Sequence, residues 1–296
     1  MEKALNLLIL FLLSCPARGQ DSQLIGGTVA DPKDWPASPW VGNCSSTLVG
    51  ERVLITAAHC VSDGGTKAFQ IGATRYSATC THHPAYRQNS TADWALCLVG
   101  APVPEIPFET IAKPGEVACA SAVKFLWTGF GCRVWGEGID GKLRIGTAAA
   151  TKCPSGTNYD TVTKSSVALC SGDSGGGGYL VTGGVRKYVG TNSRSNKTDT
   201  SYVSSTYTRA FFDWATAWAA GNGTKICGVH DDAARCRGAP APLPPIPSDC
   251  KPSWQTAGLC LFAEPRRRAP DFPAECRRAI ARLAACETEA EKTKKS

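Results

Sequence analysis

Cys170-Ser171-Gly172-Asp173-Ser174-Gly175-Gly176 is the stretch on which the reading of this chain turns. A serine flanked by glycines on a tight turn exposes its hydroxyl and lets backbone N–H groups converge on one point, as acyl transfer requires for a tetrahedral oxyanion. The same run also describes a Gly-rich surface turn, so its partners must be found elsewhere. Serine is a poor nucleophile at neutral pH and requires a base. Of the four histidines, His59 ends the apolar run Val53-Leu54-Ile55-Thr56-Ala57-Ala58, His82 and His83 precede Pro84 in a loop, and His230 lies in the C-terminal tail. Asp93 opens another apolar run, Trp94-Ala95-Leu96, where a buried carboxylate can orient an imidazole and stabilise its cation.

From Ile25 to about Val203 the chain alternates short apolar runs with Gly, Ser, Thr and Pro, which predicts many short strands in a sandwich or barrel. Phe211, Trp214, Ala215 and Trp218 then recur at helical spacing, with Gly221 and Gly223 as stops. Ala239 to Pro247 holds five prolines in nine residues and reads as a stiff linker. A cysteine-bearing tail follows. Within it residues 273–291 read as a helix, with Cys276, Ile280, Leu283 and Cys286 on one face.

With 43% hydrophobic and 19% charged residues, the 296-residue chain has enough apolar side chains for a packed core, and global disorder is excluded. A net charge of +7 is too dilute to indicate a nucleic-acid partner. Fifteen cysteines point instead to an oxidising compartment. Lys3 and the apolar run Ala4–Leu13 read as a signal peptide over residues 1–19, with export as the outcome. A bacterial lipoprotein signal is the alternative, with lipid on Cys15 in the cell envelope. Either way Cys15 drops out and 14 cysteines remain to pair. No other stretch is long and apolar enough to span a bilayer. Asn43, Asn89, Asn196 and Asn222 head Asn-x-Ser/Thr sequons, which matter only in a host that glycosylates them.

Taken together, the His59, Asp93 and Ser174 segments resemble the chymotrypsin/trypsin-like serine proteases, in that family's chain order. Cys44 lies sixteen residues before Cys60, as in the family's disulfide beside the catalytic histidine. Thr128-Gly129-Phe130-Gly131 is similar to its Thr-Gly-Trp-Gly segment, and Tyr207-Thr208-Arg209 through Trp214 to the strand that enters its C-terminal helix. The resemblance covers residues 25–220. It implies an all-β fold of two six-stranded antiparallel barrels with a C-terminal helix, the site lying between the barrels. By the same resemblance Ser174 is the nucleophile, His59 the base, Asp93 the orienter, and the amides of Gly172 and Ser174 the oxyanion hole. Ala168, six residues before Ser174, falls at the floor of the specificity pocket, with Ser193 and Ser195 on its wall. Ile25 resembles the family's mature N-terminus, whose freed amine pairs with the carboxylate before the catalytic serine, here Asp173. Residues 20–24 are then a short propeptide and 221–296 a linker and disulfide-rich extension.

The departures are informative. Leu24 stands where most family zymogens carry Arg or Lys, so a trypsin-like activator is not expected to cut there. No cysteine lies between Cys170 and Cys227, so the usual disulfide across the pocket cannot form, and Cys153 is the expected partner of Cys170 instead. Cys80, Cys97, Cys119, Cys132 and the six tail cysteines (227, 236, 250, 260, 276 and 286) are left unassigned. No Asp or Glu occurs from Gly64 to Ala92, so the family's calcium loop is missing, and neither metal nor cofactor is expected. The expected function is a secreted, monomeric serine endopeptidase acting on proteins or peptides and open to protease inhibitors. An uncharged pocket floor argues against Lys or Arg before the scissile bond and for a small or medium apolar residue. Leu24 has that character, which allows self-maturation. The alternative is a protease-fold binding protein without catalysis.

Overall fold

A computed structural model of the protein describes residues 24–103 and 106–237. The expected signal peptide, Cys15, residues 20–23, the Pro-rich linker, the 273–291 helix and Cys250, Cys260, Cys276 and Cys286 lie outside the described residues. The strands are β1 (Thr28–Val29), β2 (Thr47–Gly50), β3 (Val53–Thr56), β4 (Thr66–Ile71), β5 (Thr74–His82), β6 (Ala95–Val99), β7 (Lys124–Gly129), β8 (Arg144–Lys152), β9 (Asp160–Lys164), β10 (Gly177–Thr182), β11 (Val185–Ser195) and β12 (Thr200–Ser205). One helix, α1 (Arg209–Gly221), follows them.

The first sheet has the order β2-β3-β6-β5-β4, and all its pairs are antiparallel. In β5 the period of two is plain: Ala78 and Cys80 are buried while Ser77, Thr79 and Thr81 face solvent. β2 and β3 are buried on both faces. Leu48 and Leu54 enter the core of this sheet, whereas Val49, Val53 and Ile55 face the seam with the other half. Five strands stand here where six were expected. Between Trp35 and β2 the chain forms only the Trp40–Ser45 bridge, and Pro36 and Pro39 remove ladder donors from that segment.

In the second half the order β8-β7-β10-β11-β12-β9 returns from β9 to β8 and closes a six-stranded barrel, with β1 added on the β8 edge. Phe125, Trp127, Leu169, Val189 and Val203 fill it. A third cluster joins the halves: Trp35, Trp94, Tyr179, Tyr188, Phe211 and Trp218 meet Val49, Val53 and Ile55. The helix α1 closes this seam, capped by the Thr208 hydroxyl and burying Phe211, Ala215 and Trp218 as its spacing predicts. The packed body runs past residue 220. Ile226 and Cys227 are fully buried, and the Arg237 amide donates to the Phe108 carbonyl at 2.6 Å.

Five disulfides occur among the described residues. Cys44–Cys60 is the pair that the resemblance implied. Cys80–Cys97 joins residues directly opposite on β5 and β6, and Cys227–Cys236 staples the segment after α1. The expected Cys153–Cys170 pair does not form; Cys170 bonds Cys132, and Cys153 bonds Cys119. The topology explains the exchange. Cys132 follows β7 into a loop that runs beside the Ser174 turn, where its amide donates to the Ser171 carbonyl at 2.9 Å. Cys153 lies just past the other end of β8, next to the segment that leads into β7. Peptide mapping without reduction should recover linked Cys132–Cys170 and Cys119–Cys153 fragments, and a Cys153–Cys170 fragment would contradict this fold. Replacing Cys132 and Cys170 together by alanine should lower stability by about 3–4 kcal/mol, the scale for a loop of 38 residues, as read by chemical denaturation.

Candidate active site

The ladder between β3 and β6 pairs Thr56 with Ala95, so the end of one strand and the start of the other lie side by side. His59 sits in the turn just after β3, and Asp93 two residues before β6. Their side chains meet: His59 Nδ1 is 2.6 Å from Asp93 Oδ2, and the His59 backbone amide donates to Oδ1 at 2.9 Å. Asp93 is 2% exposed. Its neighbour Trp94 locks the segment by donating from Nε1 to the Ser204 carbonyl at 2.9 Å. A third donor to Asp93 comes from the second barrel, the Ser193 hydroxyl at 2.7 Å. Burial pushes the Asp93 carboxyl up, but the His59 and Ser193 bonds and the His59 charge outweigh it and hold its pKa below the usual carboxylate range.

The other histidines have structural surroundings. His83 is buried between the rings of Trp94 and Trp214, which drives its pKa down. His82 Nε2 lies 2.7 Å from the Val61 carbonyl, and His230 Nδ1 accepts from the Ile226 amide. Cys44, His59 and Cys60 lie close enough to suggest a metal cluster, but both sulfurs are tied in the disulfide.

The Ser174 turn docks on the first sheet. Ser45 donates from its amide to the Ser174 carbonyl at 2.8 Å and from its hydroxyl to the Gly172 carbonyl at 2.7 Å. Gly175 has φ +80, and a Cβ there would collide with the Thr56 hydroxyl and the Ser45 carbonyl, so only glycine lets the turn approach within three residues of His59. The amides of Gly172 and Ser174 donate to no acceptor among the described residues, leaving two N–H groups available to an oxyanion. Ser174 itself is partly exposed, and its hydroxyl makes no hydrogen bond with His59. The structure therefore joins His59 to Asp93 and docks the Ser174 turn on Ser45, Thr56 and Ala57, the segment that leads into His59. In unliganded sites the base–nucleophile bond is often long and tightens only with substrate.

A cavity of about 190 Å³ opens beside Ser174. Leu169, Cys170 and Ser171 line one side, Ser193, Arg194 and Ser195 the other, and Trp135 and Lys197 complete it. Ala168 is fully buried, bonded through its amide to the Ile25 carbonyl, and is not among the lining residues, whereas Leu169 is. Ser195 ties the two sides together by donating to the Leu169 carbonyl at 2.7 Å. Arg194 pairs with the buried Asp160 and lies over the Tyr202 ring. A larger recess of about 500 Å³, beside Arg133, Asp140 and Arg144, is lined by none of His59, Asp93 and Ser174. The bond from Ser193 to Asp93 and the presence of Trp135 and Lys197 in the cavity were not read from the sequence, since no local motif marks side chains that meet only through the fold.

Asp173 is fully buried and accepts from the Gly131 and Cys170 amides, each at 2.8 Å. Burial pushes its carboxyl up to about 7, against the pull of those two amides and of the Arg144 charge. An unfolded Asp titrates near ~3.9. The folded, uncut chain therefore keeps the proton longer than the unfolded one. Stability from this group is full below about pH 4 and is lost as pH rises toward 7. Asp173→Asn cannot ionise and should abolish that loss, while forfeiting one accepted hydrogen bond at every pH. Thermal midpoints of the uncut chain from pH 4 to 8 test this, and parallel profiles for the two proteins would refute the assignment.

The family profile described as Trypsin matches residues 24–215. Among solved structures, the atomic-resolution structure of HBP is similar with a TM-score of 0.54 and 17% identity, over 65% of this chain and 95% of that one, a likeness that speaks to the fold alone. With a profile match over about two-thirds of its length, the chain belongs to the trypsin-like serine protease family.

Proposed function

We propose that the protein is a secreted serine endopeptidase that hydrolyses peptide bonds through an acyl-enzyme on Ser174. The observation that carries this reading is the His59–Asp93 bond of 2.6 Å beside a serine with two free amides and an adjoining cavity. As the scissile carbonyl is attacked, the Ser174 proton passes to His59 Nε2, and Nδ1 remains bonded to Asp93. The imidazolium so formed lies against a carboxylate that its partners keep ionised. The tetrahedral oxyanion is met by the Gly172 and Ser174 amides. His59 then protonates the leaving amine, and a water activated by the same ring releases the acyl group. Five disulfides support an oxidising, extracellular setting, and no helix among the described residues is long and apolar enough to cross a membrane.

The cavity supports a small or medium apolar residue, such as Leu, Val or Ala, before the scissile bond. Its volume is modest, Leu169 lies inside it, and Arg194 and Lys197 would repel an incoming Lys or Arg. Maturation by cleavage before Ile25 would give Asp173 an ammonium partner. That cut is guarded: Leu24 is fully buried in the core of the second barrel, so any protease acting there must first draw the side chain out.

A fluorophosphonate probe should label Ser174, and absence of labelling after N-terminal processing would favour a binding protein on the same fold. Ser174→Ala should lower kcat by a factor of about 10⁴ or more without unfolding the chain. Near-normal peptidase activity in that variant would overturn the assignment. Profiling with a peptide library should give cleavage after Leu, Val or Ala, and dominant cleavage after Lys or Arg would sink the pocket reading.

A further inference from the structure

On one side β11 pairs with β12 down to Ser195, but on the other it pairs with β10 only as far as Thr191. Asn192 then exchanges bonds with Gly175 and Gly176 of the Ser174 turn. Ser193, Arg194 and Ser195 are left with an open strand edge along the cavity that holds Ser174. An extended peptide can add to such an edge as a further strand. With the scissile residue's side chain in the cavity, the period of two sends the side chain two residues upstream to the same face, roughly 7 Å further along.

The cation at that end of the cavity is Lys197, just past the open edge. It is held in place. Its backbone has φ +71, its amide donates to the Ser195 hydroxyl at 3.1 Å, and Asn196 Oδ1 accepts from the amides of Thr198, Asp199 and Thr200. Its ammonium lies 4.2 Å from the centre of the exposed Trp135 ring. Of the two cations lining the cavity, Arg194 already has the Asp160 carboxylate, whereas among the described residues Lys197 has no acidic partner and no Asp or Glu lines the cavity.

We propose that Lys197, backed by the Trp135 ring, is a specificity-determining residue that selects substrates carrying Asp or Glu two residues before the scissile residue. The inference rests on the reading of Ser174 as the nucleophile, and it adds a carboxylate requirement upstream of the apolar residue in the cavity. An exposed ion pair of this kind is worth about a threefold to fivefold preference, and it weakens with salt because the charges are solvated.

Peptides of one sequence carrying Glu, Gln or Lys at that upstream position test it on the processed enzyme, with kcat/KM as the readout and the active fraction set by the fluorophosphonate probe. The parent should prefer Glu to Gln by about threefold to fivefold at low salt, and less at ~1 M salt. Lys197→Ala should bring the Glu/Gln ratio to about one, and Lys197→Glu should turn the preference toward the Lys peptide. Equal cleavage of Glu and Gln peptides by the labelled parent, or an unchanged ratio in labelled Lys197→Glu, would overturn the role of Lys197 while leaving the protease reading intact. No labelling and no cleavage of any of the peptides would overturn both.

Discussion

The Ser174 turn is folded around a carboxylate. Asp173 is sealed from solvent, accepts from the Gly131 and Cys170 amides, and presses so close to Gly129 and Gly131 that a Cβ on either would strike its side chain. The Cys132–Cys170 disulfide and the bond from the Cys132 amide to the Ser171 carbonyl join the same two segments. One covalent link and two hydrogen bonds thus hold residues 129–132 against 170–173, and the bond from the Cys170 amide to Asp173 closes the turn on itself. That clamp orients the next residues, so that Gly175 meets Thr56 and the Ser174 carbonyl meets the Ser45 amide. A carboxylate buried in this way is costly when ionised, as its raised pKa records. The turn is consequently a place where the charge state of one group and the geometry of two available amides are coupled.

The second constraint is the seam between the halves, because His59 and Asp93 belong to one and Ser174 and Ser193 to the other. Val49, Val53 and Ile55 lie against Trp94, Tyr179, Tyr188 and Phe211, so β2 and β3 have no solvent-facing side and read as continuous apolar runs. Burying each such side chain contributes about 1.5–3 kcal/mol, which makes the seam as cohesive as either core. Trp94 has two tasks here. Its ring packs on Phe211 and His83, and its Nε1 reaches across to Ser204, which fixes the adjacent Asp93 relative to the second barrel.

What the sequence made legible follows from this division. His59, Asp93 and Ser174 stood out because each sits in its own local pattern: a serine among glycines, a histidine at the end of Val53–Ala58, and an aspartate at the head of Trp94–Leu96. The strands were readable from short apolar runs between turn residues, and α1 from helical spacing. The partner of Cys170 was not, since the choice between Cys132 and Cys153 depends on which end of the β7–β8 ladder lies beside the Ser174 turn. The sixth strand of the first half was expected by resemblance alone; Pro36 and Pro39 leave only the Trp40–Ser45 bridge in its place. Ser193 was placed on the pocket wall by resemblance. In the structure it lines the cavity beside Ser174 and also turns its hydroxyl onto Asp93, a contact that spacing alone does not reveal.

Ser193 also links two buried acids that would otherwise oppose each other. Asp160 and Asp93 are both nearly inaccessible, and the Asp93 charge adds to the burial that raises the Asp160 carboxyl. Arg194 stands between them. It pairs with Asp160 and, from its other nitrogen, reaches the Ser193 hydroxyl at 3.4 Å, the same hydroxyl that donates to Asp93. The arginine's charge is therefore directed inward, toward the two acids Asp160 and Asp93 beneath His59, and its planar fork suits that double contact better than an ammonium would. Lys197, three residues on, faces the Trp135 ring instead and meets no acid among the described residues. The two neighbouring cations of the cavity thus divide their work by burial: the one over Asp160 stabilises the site, and the one over the exposed ring is left to meet what enters it.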